Sequence, residues 1–417
     1  MQSTGKNYRF YHLIVGTPTP IRIGIDGRVL MHYEMRGFAR YTLELFRAMK
    51  EIAGANLDLY SFSPGPLAPE FLAELEIKPV VFPARREILW EQIELPKQLQ
   101  QQRVDIFHAT GNRGLPYRCA CKYVLTCHDV IDRLPEYCGR EHWRGRWRKK
   151  YADFISRHSA GKYITVSNFS KQDICRFHGL SPDRVVVIYN AAHPRFYEVL
   201  PAEQIARVRG QHDLPPQYFL FLGGFDKRKN VGALVEAFAK LPAEAPPLVL
   251  AGENKWDFAA VAQRINALGL SQRVLCPGAI ADEDLPALYQ GALALVHPSR
   301  YEGFGLQLVE AMASGIPVLA SGATSLPEVL DGSGLLFDPE NPDSIARGME
   351  RIIRDPILRR DLAEKARQRA RFFSWHKAAG QTLTVYLELL RRNDNVLQNR
   401  DEAATPTAAA KNREQRR

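Results

Sequence analysis

The chain has 417 residues, 45% hydrophobic and 24% charged, with 56 Lys and Arg against 46 Asp and Glu for a formal net charge of +10. That length allows two domains with separate cores, and no run of about 18 uncharged apolar residues is present to cross a membrane. The basic balance suits phosphate-rich substrates or an anionic membrane surface, because no nucleic-acid module appears.

The first residues mix Lys6, Arg9 and His12 into a short apolar patch without a signal-peptide core or cleavage site. Six cysteines, at 119, 121, 127, 138, 175 and 276, lack any paired Cys-x-x-Cys spacing for zinc, and read as reduced cytosolic thiols. Ile21–Ile25 predicts a first buried strand, followed by a loop and a helix from about Gly37. Phe38, Tyr41, Leu45 and Met49 fall at helical spacing along it. Short apolar runs recur at Leu57–Phe62, Val80–Phe82, Asp105–His108, Tyr123–Cys127, Tyr163–Val166 and Val185–Ile188. A stretch between Tyr197 and Pro216, with Pro201, Gly210, Pro215 and Pro216, breaks the pattern and marks a domain boundary near 205.

The second half restarts at Tyr218–Leu222. A helix Val231–Leu241, a strand Leu248–Ala251 and a helix Phe258–Leu268 follow, then Val274–Leu275, Leu285–Gly291, Leu293–His297, a helix around Glu310 and Val318–Ala320. Strands alternating with helices predict an α/β fold with parallel sheets and right-handed crossovers, whose ligands bind at the carboxyl ends of strands. Ser374–Leu390 predicts a capped terminal helix with Trp375, Ala379, Leu383, Tyr386 and Leu390 on one face. Residues 392–417 have almost no large apolar side chains and are expected to be disordered.

The candidate sites follow predicted strands. His128-Asp129 ends the Tyr123 strand, and a histidine there can hydrogen-bond or move a proton near neutral pH, with Asp129 orienting it or holding an acceptor. His108, at the end of an earlier strand, is a weaker candidate. Trp143–Tyr151 interleaves aromatics with cations, which suits either a membrane surface or a helix that buries its aromatics and solvates its cations. After Leu222 come Gly223, Gly224, Phe225, Asp226, Lys227, Arg228, Lys229 and Asn230. Two glycines and clustered cations at a helix start suit a diphosphate, with Asn230 as cap and Arg228 and Lys229 neutralising oxygens. Asp282-Glu-Asp284 looks like an Asp-x-Asp metal motif, but reads better as a helix cap with first-turn acids, so no divalent metal is expected.

The most informative stretch runs from Arg300 to Leu319. Glu302 and Glu310 bracket the turn Gly303-Phe304-Gly305, which opens a helix at Leu306 that closes at Gly315 before Pro317. Such a turn offers backbone N–H groups to an anion. If most of the intervening residues are helical, the carboxylates lie ~10 Å apart, about the reach of a nucleoside diphosphate-sugar.

These motifs, with Ser167–Lys171, Pro317–Ser321 and Pro327-Glu328, resemble the retaining glycosyltransferases of family 4, over residues 21 to 391. The resemblance is closest to bacterial mannosyltransferase-type members of O-antigen and exopolysaccharide synthesis. It implies the GT-B fold: two Rossmann-like domains facing across a cleft, an acceptor-binding one at 1–205 and a nucleotide-sugar-binding one at 206–373. The helix 374–391 is then expected to cross back to the first domain. Glu310 is implied to bind ribose, Glu302 and His128 to lie at the donor sugar, and Arg228 and Lys229 to stabilise the phosphate. Gly37 sits where relatives bring a glycine-rich loop to the donor or acceptor; the bland reading is a helix start with Arg40 exposed. Many members carry an arginine where this chain has Gly224, leaving Lys227 or Arg228 as its substitute.

The implied reaction transfers a sugar, with mannose from GDP-mannose favoured and a UDP-sugar as the alternative, to a lipid-linked or oligosaccharide acceptor. No cofactor, metal or nucleic acid is expected, and the location is cytoplasmic with peripheral contact at the inner membrane. Base recognition around Ala279-Ile280 is not legible. A dehydrogenase would need a Gly-x-Gly-x-x-Gly that Ile25-Asp-Gly-Arg does not supply. A non-catalytic sugar-nucleotide-binding module shares the same residues and is separated only by turnover.

Overall fold

A computed structural model describes residues 20–31, 37–83, 86–138, 143–255 and 257–404. The chain divides into two compact units. One gathers Met1–Thr126, Lys150–Tyr163 and Ala379–Arg417; the other gathers Cys127–Lys149 and Ile164–Ala378.

Strands β1 (Ile21–Asp26), β2 (Leu57–Ser63), β3 (Lys78–Val81), β4 (Ile106–Ala109), β5 (Lys122–Thr126), β6 (Lys162–Thr165) and β7 (Val185–Val187) form a sheet in the order β3-β2-β1-β4-β5-β6-β7. The second sheet holds β8 (Phe219–Leu222), β9 (Leu248–Ala251), β10 (Val274–Gly278), β11 (Ala294–His297), β12 (Val318–Ser321) and β13 (Leu335–Phe337), in the order β10-β9-β8-β11-β12-β13. The pairings among β1 to β5 are parallel, as are those among β8 to β13. This is the predicted α/β architecture. β4, β9, β11 and β12 are buried at every residue, which is why they read as continuous apolar runs rather than alternating ones.

The strand order reverses between β1 and β4 in one sheet and between β8 and β11 in the other. Loops leaving the carboxyl ends of such strands are where these sheets bind ligands. The second sheet packs Phe219, Phe221, Leu250 and Val296 against Val231, Leu234, Val235 and Phe238 of the helix Val231–Phe238. Burial of each such side chain contributes about 1.5–3 kcal/mol, which fixes the loop between β8 and that helix at both ends. β13 was not expected from sequence, nor were the helices Pro342–Arg354 and Pro356–Ala370. β13 is an edge strand of three residues with Leu336 half exposed, too short to show a period.

The last helix, Trp375–Ala404, buries Trp375, Ala379, Leu383 and Tyr386 as predicted; the predicted Leu390 is only partly buried, and Leu389 is buried as well. Helical backbone continues past Arg391, where composition alone suggested its loss, because helix needs no large apolar residues to propagate once a packed segment has nucleated it. Residues 405–417 of the expected tail lie outside the described residues.

Tyr386 reaches the Nδ1 of His108 at 2.6 Å, and His108 Nε2 meets Thr126 Oγ1 at 2.7 Å. Tyr41 also bonds Thr126 Oγ1, at 3.0 Å. Burial holds the Tyr386 hydroxyl well above its ordinary value, with Tyr41 adding to the shift, so it stays protonated beside His108. His108 is thus a buried anchor for the terminal helix and has both ring nitrogens engaged.

Along the helix Trp143–Ser159, Trp147, Tyr151 and Phe154 are exposed at spacings of four and three, with Arg148 and Lys150 also at the surface. The reading in which this helix buries its aromatics is therefore corrected for Trp147 and Tyr151, while the side chain of Trp143 lies outside the described residues. Cys119, Cys121, Cys127, Cys175 and Cys276 carry free thiols; the side chain of Cys138 lies outside the described residues. No helix among the described residues is long and apolar enough to cross a membrane.

Tyr386→Phe should lower stability by about 1–3 kcal/mol, because it removes the buried hydrogen bond between Tyr386 and His108. Urea denaturation followed by hydrogen exchange on the first unit checks this; an unchanged midpoint would remove His108 and Tyr386 as the anchor of the helix.

Candidate active site

Two loops at adjacent strand ends build the site. The first leaves β8 through Gly223 and Gly224, is pinned by the buried Phe225, and turns through a short 3₁₀ segment, Lys227–Lys229, into the helix Val231–Phe238. Gly223 has a φ of +156° and abuts Gly252, where a side chain would overlap the Gly223 carbonyl. The positive φ explains the glycine at 223 and the close backbone approach the one at 252, and sequence reading missed Gly252. Within the turn Lys227 is exposed, Arg228 half-buried and Lys229 buried. Only the latter two point to the second loop.

That second loop leaves β11 at His297 and passes Pro298, Ser299, Arg300, Tyr301 and Glu302 before the helix Leu306–Ala313. Ser321 Oγ donates to the Ser299 carbonyl at 2.5 Å, and Ser325 Oγ to the Glu302 carbonyl at 2.8 Å. The Glu302 N–H reaches Thr324 Oγ1 at 3.1 Å. The Arg300 N–H donates to the Arg228 carbonyl at 2.7 Å, tying the two loops together.

The side chains then converge on one carboxylate. Lys229 Nζ lies 2.6 Å from Glu302 Oε1 and Arg228 Nη1 lies 3.0 Å from Oε2. His297 Nε2 lies 3.1 Å from Oε1. Arg228 Nε also faces Asp226 at 3.2 Å. Burial alone would push the Glu302 carboxyl up, but Lys229, Arg228 and the hydrogen bond from His297 outweigh it and hold the group well below the usual carboxylate range. Burial opposes the Arg228 charge too, and Glu302, Asp226 and Asp129 more than compensate, raising it. Burial lowers the Lys229 ammonium, with Glu302 opposing the shift. Of the two residues weighed against the arginine missing at Gly224, Arg228 accompanies Lys229 at the carboxylate, while Lys227 is exposed.

Gly303 is held from two sides. Ser167 Oγ and Ser170 Oγ donate to its carbonyl at 2.7 and 3.0 Å. A Cβ there would lie 2.5 Å from the His128 carbonyl oxygen and 3.1 Å from Asp129 Cβ. The structure thus brings His128 and Asp129 against the Gly303 turn, and glycine is required because backbone meets backbone. Asp129 Oδ1 accepts from the Ile131 N–H at 3.2 Å, which orients the loop after β5. Gly305 takes a φ of +93°, with Leu326 filling the space a side chain would need.

Several expected details are corrected. Asn230 occupies the N-cap position, but with a φ of +56° its side chain does not cap; it donates to the carbonyls of Pro298 at 3.2 Å and Pro339 at 2.8 Å. Phe304 is buried against Phe373 and Tyr189, so its ring serves packing. Gly303, Phe304 and Gly305 are not helical, so the axial spacing assumed between the two glutamates applies only from Leu306 onward, where Leu306 is partly exposed in the first turn. Glu310 is buried in that helix and accepts the Tyr289 hydroxyl at 2.9 Å. Asp284 stands at the N-cap position of Leu285–Gln290 without capping; it faces Arg207 at 3.4 Å and His212 at 3.8 Å, while Asp282 faces Arg195 at 3.5 Å. Gly37 begins the helix Gly37–Ala53 in the other unit, with open space where a side chain would point; residues 32–36 before it lie outside the described residues.

Sequence reading quoted His297 only as context and missed Tyr289. The signal for His297 was its place as the last residue of an apolar strand, five before Glu302. Glu328, quoted only as part of a motif, accepts from the Asn168 and Phe169 N–H groups at 2.9 and 3.2 Å and from the Tyr189 hydroxyl at 2.8 Å, securing the Ser167 turn.

Both halves of the chain match known proteins. Residues 203–369 match the family described as glycosyl transferases group 1, and residues 35–196 match glycosyltransferase family 4. The O-antigen chain mannosyltransferase B of Escherichia coli is 31% identical over 375 residues, which is 85% of this chain and 96% of that protein. A serotype-specific mannosyltransferase, WbdA of Escherichia coli, is 31% identical over 292 residues, 68% of this chain but 36% of that longer protein. The Anabaena HepE crystal structure, in complex with UDP and glucose, superposes with a TM-score of 0.71 at 20% identity, over 88% of this chain and 100% of that one. With both halves matched in order, and paired Rossmann-like parallel sheets beneath them, the chain belongs to glycosyltransferase family 4 and has the GT-B fold.

Proposed function

We propose that this glycosyltransferase moves mannose from GDP-mannose to a lipid-linked or oligosaccharide acceptor in O-antigen or exopolysaccharide synthesis, with retention at the anomeric carbon. The observation that carries the reading is the buried Glu302 carboxylate between Lys229 and Arg228 at two strand ends. The choice of mannose is supported by the mannosyltransferases among the relatives.

Departure of a nucleoside diphosphate builds negative charge on the leaving oxygen, and Arg228 and Lys229 stabilise it as fixed cations in a site of low dielectric. Glu302 accepts hydroxyls of the donor sugar beside them. Glu310 binds the ribose, and the backbone at Gly223, Gly224 and the Gly303–Leu306 turn approaches the diphosphate. His128 lies at the transferred sugar and Asp129 at the acceptor, with Gly37 on the acceptor-binding domain. The leaving phosphate takes the acceptor's proton in a front-face displacement, so neither a metal ion nor a cofactor takes part. The enzyme works in the cytoplasm, and the exposed Trp147, Tyr151 and Phe154 with their neighbouring cations touch the anionic inner-membrane surface.

Activity with GDP-mannose should survive EDTA. Arg228→Ala and Lys229→Ala should each lower kcat by roughly 100-fold or more with a smaller change in KM, as expected when charge stabilisation of a transition state is lost. Restoration of a chelated enzyme by manganese or magnesium would contradict this. Proton NMR of the product should show an α-linked sugar from the α-linked donor; a β-linked product would end the retaining reading, and turnover of UDP-glucose alone would end the mannosyl one.

Co-sedimentation with phosphatidylglycerol vesicles, but not with neutral phosphatidylcholine vesicles, should weaken in Trp147→Ser. Equal recovery with both lipids would remove the membrane contact.

A further inference from the structure

His297 closes β11 with its side chain fully buried. Its Nε2 lies 3.1 Å from Glu302 Oε1 and 3.1 Å from Ser299 Oγ, while its Nδ1 is buried without a hydrogen-bond partner. The ring runs nearly parallel to Phe221, with centroids 6.5 Å apart and planes at 22°.

An ionised carboxylate can only accept hydrogen bonds, so the contact with Glu302 is attractive only when His297 Nε2 carries a proton. A second proton on Nδ1 would be buried with no acceptor and would add charge beside Lys229 and Arg228. Burial lowers the imidazole below its ordinary value, the Glu302 hydrogen bond opposing and the Lys229 charge reinforcing the shift. The ring is therefore neutral and protonated on Nε2. Its bare Nδ1 is the cost of presenting that donor, since a buried acceptor without a partner is destabilising.

Lone pairs then limit what Glu302 can do. A carboxylate has about four acceptor positions, two on each oxygen. Lys229 Nζ and His297 Nε2 take both on Oε1, and Arg228 Nη1 takes one on Oε2. One position on Oε2 remains.

We propose that His297 is a positioning residue for catalysis: a neutral donor that, with Lys229, saturates Glu302 Oε1 and leaves Oε2 as the atom that receives a hydroxyl of the donor sugar. The proposal rests on the reading of Glu302 as a donor-sugar ligand. It assigns His297 a role through Glu302 and no contact with substrate.

A double-mutant cycle tests it. His297→Phe keeps an aromatic ring beside Phe221 and removes the donor; His297→Gln keeps an amide donor. Each is measured alone and with Glu302→Gln, by kcat/KM for GDP-mannose and by calorimetric affinity for GDP-mannose. His297→Phe should lose roughly 10-fold or more in kcat/KM, the effect of deleting a charge-assisted hydrogen bond, and His297→Gln should recover part of it. In the Glu302→Gln background His297→Phe should change little, because residues acting through one another are not additive. If the His297→Phe loss multiplies fully onto that of Glu302→Gln, His297 has only a structural role and the inference is overturned. If Glu302→Gln itself leaves both readouts unchanged, the donor-sugar reading of Glu302 fails first. Should His297→Phe not fold, as judged by its thermal midpoint, His297→Gln and His297→Asn complete the same cycle.

Discussion

A buried carboxylate set between two cations is the constraint around which this protein is organised. Glu302 is nine-tenths buried, and burying an ion that closely is unfavourable unless every acceptor position finds a donor. Lys229, Arg228 and His297 fill three of the four positions, leaving one on Oε2, and each comes from a strand end or the turn that follows one. The cluster therefore holds together the β8 and β11 loops. Removing Glu302, Lys229 or Arg228 would leave charge in the interior of the second unit without its partner, so the geometry is preset before any substrate arrives. Preset dipoles and charges are what electrostatic catalysis requires.

The surrounding structure serves that cluster. The parallel order of the second sheet places β8 beside β11, so the loops after Leu222 and His297 emerge side by side. Ser321, Thr324 and Ser325 fasten the Glu302 segment from beneath, and the hydroxyls of Ser167 and Ser170 fasten Gly303. Glu328 in turn satisfies the N–H groups that open the helix Asn168–His178. A short chain of satisfied polar groups thus links the Ser167 turn to the paired-glutamate segment, and the His128 backbone packs against Gly303.

Much of the fold was legible because parallel strands covered on both faces give continuous apolar runs, as at Leu248–Ala251 and Leu293–His297. Edge strand Leu335–Phe337 was not, since three residues carry no period. Glu302, Arg228 and Lys229 were legible as motif residues, yet their mutual contact was not, because residues some 73 positions apart meet only through the sheet order. Asn230 misled for a local reason: asparagine favours both caps and left-handed backbone, and here the second preference won. His297 was hidden by its strand. Within an apolar run a histidine resembles a core residue, and only the distance to Glu302 distinguishes the two.

The central claim is that Glu302 binds the donor's sugar while Arg228 and Lys229 bind its diphosphate. The most direct measurement is calorimetry of GDP and GDP-mannose on the native protein and on Glu302→Gln. The account predicts that the substitution removes most of the affinity that mannose adds over GDP. GDP itself should bind at least as tightly as before, because both cations lose their internal counter-ion. An unchanged GDP-mannose to GDP ratio, or an equal loss of affinity for both ligands, would contradict it.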